Sequence, residues 1–175
     1  MFTSPKEFLD NHDSSLPGCA VLDVSMPDLD GLELQQALTA ERLQRPIIFL
    51  TGQGDIPTSV RAMKAGAIDF LTKPVSDADL LTAIANAVQA DCENRHASSE
   101  LESINARLAT LTPREHEVMT HVIAGRLNKQ IAGDLGTVEK TIKVHRGRVM
   151  EKLGLRSVAD LVRLAEKAGV SPRKF

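Results

Sequence analysis

Two hydrophobic rhythms divide this chain. In its first half, short continuous apolar runs, Cys19-Ala20-Val21-Leu22-Asp23, Pro46-Ile47-Ile48-Phe49-Leu50-Thr51 and Ala67-Ile68-Asp69-Phe70-Leu71-Thr72, alternate with helical patterns over Leu32 to Arg42 and Pro57 to Lys64. Runs of that kind suit strands buried on both faces. Their alternation with helices predicts βαβ units and a parallel sheet covered on both sides. From residue 111 onward the period becomes helical and predicts four short helices. Val138, Ile142, Val149 and Leu153 recur at steps of four, seven and four residues, share one helix face and must pack inward. Thr137 suits the N-cap of that helix and Gly154 its stop. Just upstream, Asn128 to Gly136 predicts a helix of about two turns that ends in glycine and joins the next through a tight turn, a helix-turn-helix layout.

Between the halves, Asp77 to about Leu108 contains neither proline nor glycine and carries Leu80, Leu81, Ile84, Val88, Leu101, Ile104 and Leu108. One long helix, or two with a break near Ala97-Ser98-Ser99, is expected. Its apolar positions before 90 should cover the sheet. Those after 100 are sparse and either pair with a twin helix in a dimer or belong to a solvated spacer.

Charge sharpens the division. Residues 111–175 hold 13 Lys and Arg against 7 Asp and Glu, a net of +6, whereas residues 1–110 hold 8 against 16, a net of −8. The total of −2 therefore hides a basic tail behind an acidic body. The basic surplus gathers on the third tail helix, where Lys140, Lys143, Val144, Gly147 and Glu151 face away from the apolar stripe and Arg146 and Arg148 flank it. A residue as small as Gly147 lets the backbone approach a groove floor closely. Such a helix suits duplex DNA.

These tail residues carry a resemblance. Leu111-Thr112-Pro113-Arg114-Glu115, Asn128-Lys129-Gln130-Ile131-Ala132, Thr141-Ile142-Lys143-Val144-His145-Arg146, Lys152-Leu153-Gly154 and Ser157-Val158-Ala159-Asp160-Leu161 together resemble the LuxR-type helix-turn-helix output domain. The resemblance implies that Lys143 and Val144 face base edges, Lys143 by hydrogen bonding and Val144 through a thymine methyl. At Gly147 one family base contact has no side chain to make it. Lys129, Thr137, Lys140, Thr141 and Lys152 are read as phosphate contacts that hold register, and Arg146 and Arg148 are read as DNA-binding too. His145 is expected to be a packed structural residue. The fourth tail helix often mediates dimerisation in that family.

In parallel sheets chemistry collects at the carboxyl ends of the strands, and here Asp23, Thr51 and Lys73 fall there. A carboxylate, a hydroxyl and an ammonium at one edge can accept a phosphoryl group and neutralise the added charge. Pro74 restricts the backbone after Lys73, with a cis bond open to it. The stretches Leu22 to Leu34, Leu50 to Pro57 and Ala62 to Pro74 resemble the receiver domain of two-component response regulators, in particular the FixJ-like subgroup. The resemblance implies Asp23 as phosphoacceptor, Thr51 as switch hydroxyl, Lys73 as phosphoryl partner and Phe70 as the aromatic that moves inward on activation. It also implies Mg²⁺, held by Asp23 and the Ser25 carbonyl together with an acidic pair at the end of an earlier strand.

Here the chain departs from the pattern. Only 22 residues precede Asp23, fewer than the first strand, first helix, second strand and second helix need, so the acidic pair is missing. Phe2 to Leu9 resembles the end of the second strand and its following helix, and Asp10 and Asp13 are expected as solvated loop residues beyond it. The strand at 19–23 should then present an open edge, which a partner such as a second copy could cover. Mg²⁺ binding should be impaired and phosphorylation of Asp23 weak or absent.

The remaining composition sets limits. A length of 175 residues accommodates one α/β domain and one small helical domain. No apolar run approaches 18 residues and no signal-peptide layout opens the chain, which points to the cytoplasm and away from the membrane. Cys19 and Cys92 lie far apart and suit reduced, packing roles. Gly52-Gln53-Gly54 fits a strand-to-helix turn better than a phosphate loop, and the lack of Trp and Tyr argues against single-stranded RNA.

The expected organisation is thus a receiver-like α/β domain over 1–88 lacking its first strand and helix, a helical linker over 89–109, and an all-α helix-turn-helix domain over 110–175. The expected function is that of a DNA-binding transcriptional response regulator, not an enzyme. Its partners would be double-stranded DNA, a sensor histidine kinase, a second copy on DNA and, further, RNA polymerase. The alternatives are a signalling module acting through protein contacts, or a DNA-binding regulator independent of phosphorylation. A phosphatase using Asp23 as nucleophile would need a second carboxylate and a metal site, and neither is convincing here.

Overall fold

A computed structural model of the chain describes residues 2–13, 15–26, 31–40, 45–52 and 56–173. The chain divides into two compact units, 1–96 and 97–175. Parts of two motifs quoted above, Pro27 to Asp30 and Gln53 to Asp55, as well as Glu41 and Arg42, lie outside the described residues.

The first unit runs α1 (Pro5–Asn11), β1 (Ala20–Asp23), α2 (Gly31–Ala40), β2 (Ile47–Thr51), α3 (Ile56–Lys64), β3 (Asp69–Thr72) and the first five turns of α4 (Asp77–Leu108). Its three described strands are parallel in the order β1-β2-β3, with Leu22 beside Phe49 and Phe49 beside Phe70. The continuous apolar run of β2 has the expected cause, because adjacent residues serve opposite faces. Phe49 enters a core with Phe8, Leu22, Leu32, Leu34 and Leu38, whereas Ile48 packs against Ala83 and Ala87 of α4. Cys19 packs beside Ile48, and both Cys19 and Cys92 are free thiols.

Two expectations near the N-terminus change. Residues 2–4 form no strand; the Ser4 hydroxyl accepts the Glu7 N–H at 3.2 Å and starts α1 directly at Pro5. Asp10 belongs to α1 rather than to a loop, while Asp13 lies beyond it and accepts from Ser15 at 2.8 Å. Both are exposed. β1 lies at one end of the described sheet, paired only with β2.

The second unit contains the last turns of α4 with α5 (Pro113–Ile123), α6 (Asn128–Asp134), α7 (Glu139–Leu153) and α8 (Val158–Lys167). Local chemistry starts α5 sharply: Thr112 and Glu115 each accept the other's backbone N–H, at 3.3 and 2.9 Å, and Pro113 opens the helix. The core joins Val118, Met119, Val122, Ile131, Ile142, Val149, Leu153, Leu161 and Leu164.

Ile104 is 3% exposed in that same core, with Leu108 packed against it. Two of the three apolar positions considered for a twin helix, Ile104 and Leu108, are therefore already covered within the second unit, while Leu101 is 41% exposed. α4 is one continuous helix through Ala97-Ser98-Ser99. Among the described residues no helix is long and apolar enough to cross a membrane.

Candidate phosphoacceptor site and nucleic-acid interface

The parallel sheet brings Asp23 and Thr51 to the carboxyl ends of β1 and β2, and the Lys73 N–H donates to the Thr51 carbonyl at 2.7 Å just beyond β3. The Lys73 ammonium forms an ion pair with Asp23 Oδ2, while Asp23 Oδ1 accepts the Ser25 N–H at 3.0 Å. These contacts, the Lys73 ammonium first, hold the Asp23 carboxyl below its ordinary range against a partial desolvation that acts the other way. Thr51 is 2% exposed at the same edge. The Lys73–Pro74 peptide is cis. Phe70 is half-buried, its ring 6.3 Å from that of Phe49. An ionised carboxylate with an ammonium on one oxygen is a competent acceptor for a phosphoryl group, because the amine offsets charge added to the acid.

Gly31 lies within the stretch Leu22 to Leu34, and the structure gives it a role. A Cβ there would lie 2.6 Å from the Asp23 carbonyl and 2.8 Å from the Phe49 ring. Only glycine lets α2 begin this close to the end of β1, with the Gly31 N–H donating to the Val24 carbonyl at 3.1 Å. Sequence holds a signal for it only in the position of a glycine at a helix start.

The Mg²⁺ implied by the resemblance finds a poor donor set. Asp23 has Lys73 on one oxygen and the Ser25 N–H on the other. Among the described residues, no three of His, Cys, Asp or Glu gather where they could hold a metal. Mg²⁺ demands near-octahedral oxygen coordination, and one engaged carboxylate with one carbonyl does not define it. The described residues do not fit the ion.

The second surface is α7. Ile142, Val149 and Leu153 are at most 1% exposed, while Lys140, Lys143, Val144, Gly147 and Arg148 are exposed. Apart from exposed Val144, charge and apolarity thus divide round the helix. Val138 is the exception to the predicted stripe, being 65% exposed. Thr137 is also not the N-cap: its N–H donates to the Ala132 carbonyl at 2.9 Å, and Val138 caps α7 without a side-chain bond. The cause is Gly136 at φ 61°, whose left-handed turn folds Thr137 back onto α6 and delays the helix. Gly154, at φ 65°, ends α7 as expected.

Other residues expected at the DNA surface are spread more widely. Lys129 is exposed on α6. Thr141 and Arg146 are half-buried, and Arg146 Nη1 donates to Asn128 Oδ1 at 3.1 Å, tying α7 to the start of α6. His145 is also half-buried, and its Nδ1 is enclosed without a hydrogen-bond partner among the described residues. Lys152 lies nine residues beyond Lys143, half a turn round the helix, and its ammonium reaches Glu115 Oε2 at 2.7 Å and the Thr110 carbonyl at 3.0 Å.

Glu115 is a residue the motif hid, since it reads as half of a capping box yet is 2% exposed. Its pKa falls from 4.5 to about 2, first because of Lys152 and then because of the Thr112 N–H. A depressed folded-state pKa contributes stability above the unfolded value and loses it on protonation. The second unit should therefore lose thermal stability as pH drops from about 4.5 towards 2, and Glu115→Gln should flatten that part of the profile. Parallel melting curves for the two proteins across this range would refute the assignment.

Comparison with known proteins gives the family of each part of the chain. Residues 1–85 match the family described as response regulator receiver domain, and residues 109–165 match bacterial regulatory proteins, luxR family. Nodulation protein W of Bradyrhizobium diazoefficiens is 45% identical over 170 residues, covering 97% of this chain and 75% of that protein. Response regulator protein TodT of Pseudomonas putida is 42% identical over 166 residues, 95% of this chain and 73% of that one. The structure of response regulator StyR superposes with a TM-score of 0.84 at 47% identity, over 95% of this chain and 84% of the other. A receiver-family match followed by a LuxR-family match, with these relatives, shows that the chain belongs to the DNA-binding transcriptional response regulators of two-component systems.

Proposed function

We propose that the chain regulates transcription by presenting α7 to a DNA major groove, with Lys143 and Val144 against base edges. In this reading Lys129, Thr137, Lys140, Thr141 and Arg148 hold the phosphates, and Arg146 supports α7 from Asn128. The observation that carries it is the division of α7, with Ile142, Val149 and Leu153 sealed in the core and the basic residues outside. Asp23 is the phosphoacceptor facing a sensor histidine kinase, Lys73 its phosphoryl partner, and Thr51 and Phe70 the switch pair. The receiver portion spans 1–88, the linker 89–109 and the output domain 110–175. The protein acts in the cytoplasm, without enzymatic turnover, as a homodimer on DNA, and RNA polymerase is its further contact.

The alternative is a regulator independent of phosphate. Asp23 is engaged by Lys73 and Ser25, and the described residues make no Mg²⁺ site. Fluorescence anisotropy of the full chain with a labelled duplex, with and without acetyl phosphate and Mg²⁺, tests both. Log affinity should fall with log salt at roughly 0.9 per phosphate contacted. The phosphodonor should label Asp23 weakly and leave affinity unchanged. Salt-insensitive binding would sink the DNA reading; stoichiometric labelling would sink the second reading alone.

A further inference from the structure

Cations tie two helix ends together in the second unit. A helix leaves its last carbonyls without partners inside it, and a cation placed there satisfies them and opposes the negative end of the helix dipole. Arg107, in the last turn of α4, donates from Nη1 to the carbonyl of Leu153, the last residue of α7, at 3.0 Å. Lys152, in the last turn of α7, donates from Nζ to the carbonyl of Thr110, just beyond the end of α4, at 3.0 Å. The same ammonium meets the Glu115 carboxylate at 2.7 Å. Arg107 thus caps the end of α7, while Lys152 holds the turn that follows α4.

Apolar packing fixes the same pair. Ile104, one turn before Arg107, is 3% exposed in a core with Leu153. Further along α4, Glu100 receives the Lys167 ammonium of α8 at 2.5 Å. Glu100, Ile104, Arg107 and Leu108 fall at steps of four, three and one, the spacing of a single helix face. The end of α4 is thereby a working part of the helical unit. Its contact with α7 is made at the backbone end of the helix that carries Lys143.

We propose that Arg107 is a positioning residue for DNA recognition: by holding the last carbonyl of α7 it sets where Lys143 and Val144 lie along the groove, without touching DNA itself. The inference rests on the reading that α7 faces base edges. A charge that merely attracted phosphate would act equally on every duplex. A positioning group acts on sequence discrimination, because base contacts tolerate far less displacement than phosphate contacts. Lysine at 107 retains a donor for the carbonyl, whereas alanine removes it.

The test uses the full chain. A random duplex library is enriched on the unaltered protein, and affinities for the enriched duplex and a scrambled one are then compared for Arg107→Ala and Arg107→Lys over a salt series. Arg107→Ala should bind the enriched duplex about tenfold more weakly, with scrambled-duplex affinity and salt slope unchanged. Arg107→Lys should restore most of the loss. Amide exchange of the free protein provides an independent reading: the Gly154 and Leu155 N–H groups, which close the end of α7 onto Glu151 and Met150, should exchange about tenfold faster in Arg107→Ala. Equal weakening on both duplexes would make Arg107 a phosphate contact and overturn the proposal. Unchanged exchange at Gly154 and Leu155 would overturn it as well. Failure of the unaltered protein to enrich any sequence would instead sink the base-reading role of α7, and the positioning role with it, while the exchange result would still show whether the clamp exists.

Discussion

Replacing Ile142 with alanine is expected to lower the unfolding free energy of the helical unit by about 2–5 kcal/mol. Ile142 is fully buried and meets Ile131, Val149, Leu153 and Leu161 in one core. Truncation would remove apolar contact and leave a void that close-packed neighbours fill only partly. Against a typical domain stability of about 5–15 kcal/mol the loss is large. It would also loosen the helix that carries Lys143. The informative control is Val138→Ala, one turn earlier on the predicted stripe. At 65% exposure, Val138 should tolerate the change within about 0.5 kcal/mol. Denaturant titration followed by circular dichroism measures both. Equal costs at the two positions would mean that Val138 packs with Ile142 after all.

The second large effect concerns specificity. Lys143→Ala should abolish discrimination worth about 1–3 kcal/mol at one base pair while leaving affinity for scrambled duplex nearly intact. Lys143 is exposed beside Val144 and Gly147, where a side chain can reach a base edge and the backbone can approach closely. Lys129→Ala should behave differently, weakening all duplexes alike and reducing the salt slope by about one. Competition binding against a panel of single-base variants separates the two. Uniform weakening by Lys143→Ala would move that residue to the phosphate group.

Much of this was legible before any coordinates. Continuous apolar runs announced parallel strands because β2 is buried on both faces, as Ile48 and Phe49 demonstrate. Helix starts with explicit side-chain caps, Thr112 for α5 and Ser157 for α8, matched their residue types, although neither had been assigned as a cap from the sequence. The start of α7 did not, since Thr137 looks like a cap. A backbone bond to Ala132, enforced by Gly136, claimed its N–H instead. The apolar positions at the end of α4 were ambiguous for a related reason: periodicity marks a buried face and cannot say what buries it.

Sequence alone determined the order of the elements, the division into an acidic body and a basic tail, and the residues with the chemistry for each task. Local pattern suffices there, because strand, helix and charge are properties of neighbouring positions. Tertiary structure decided which of those residues meet. It set Lys73 on Asp23 across 50 positions of chain, turned Lys152 from the basic face onto Glu115 across 37, and joined the ends of α4 and α7 through Arg107 across 46. Contacts at such separations depend on how whole elements pack, and no periodicity within a single element encodes them.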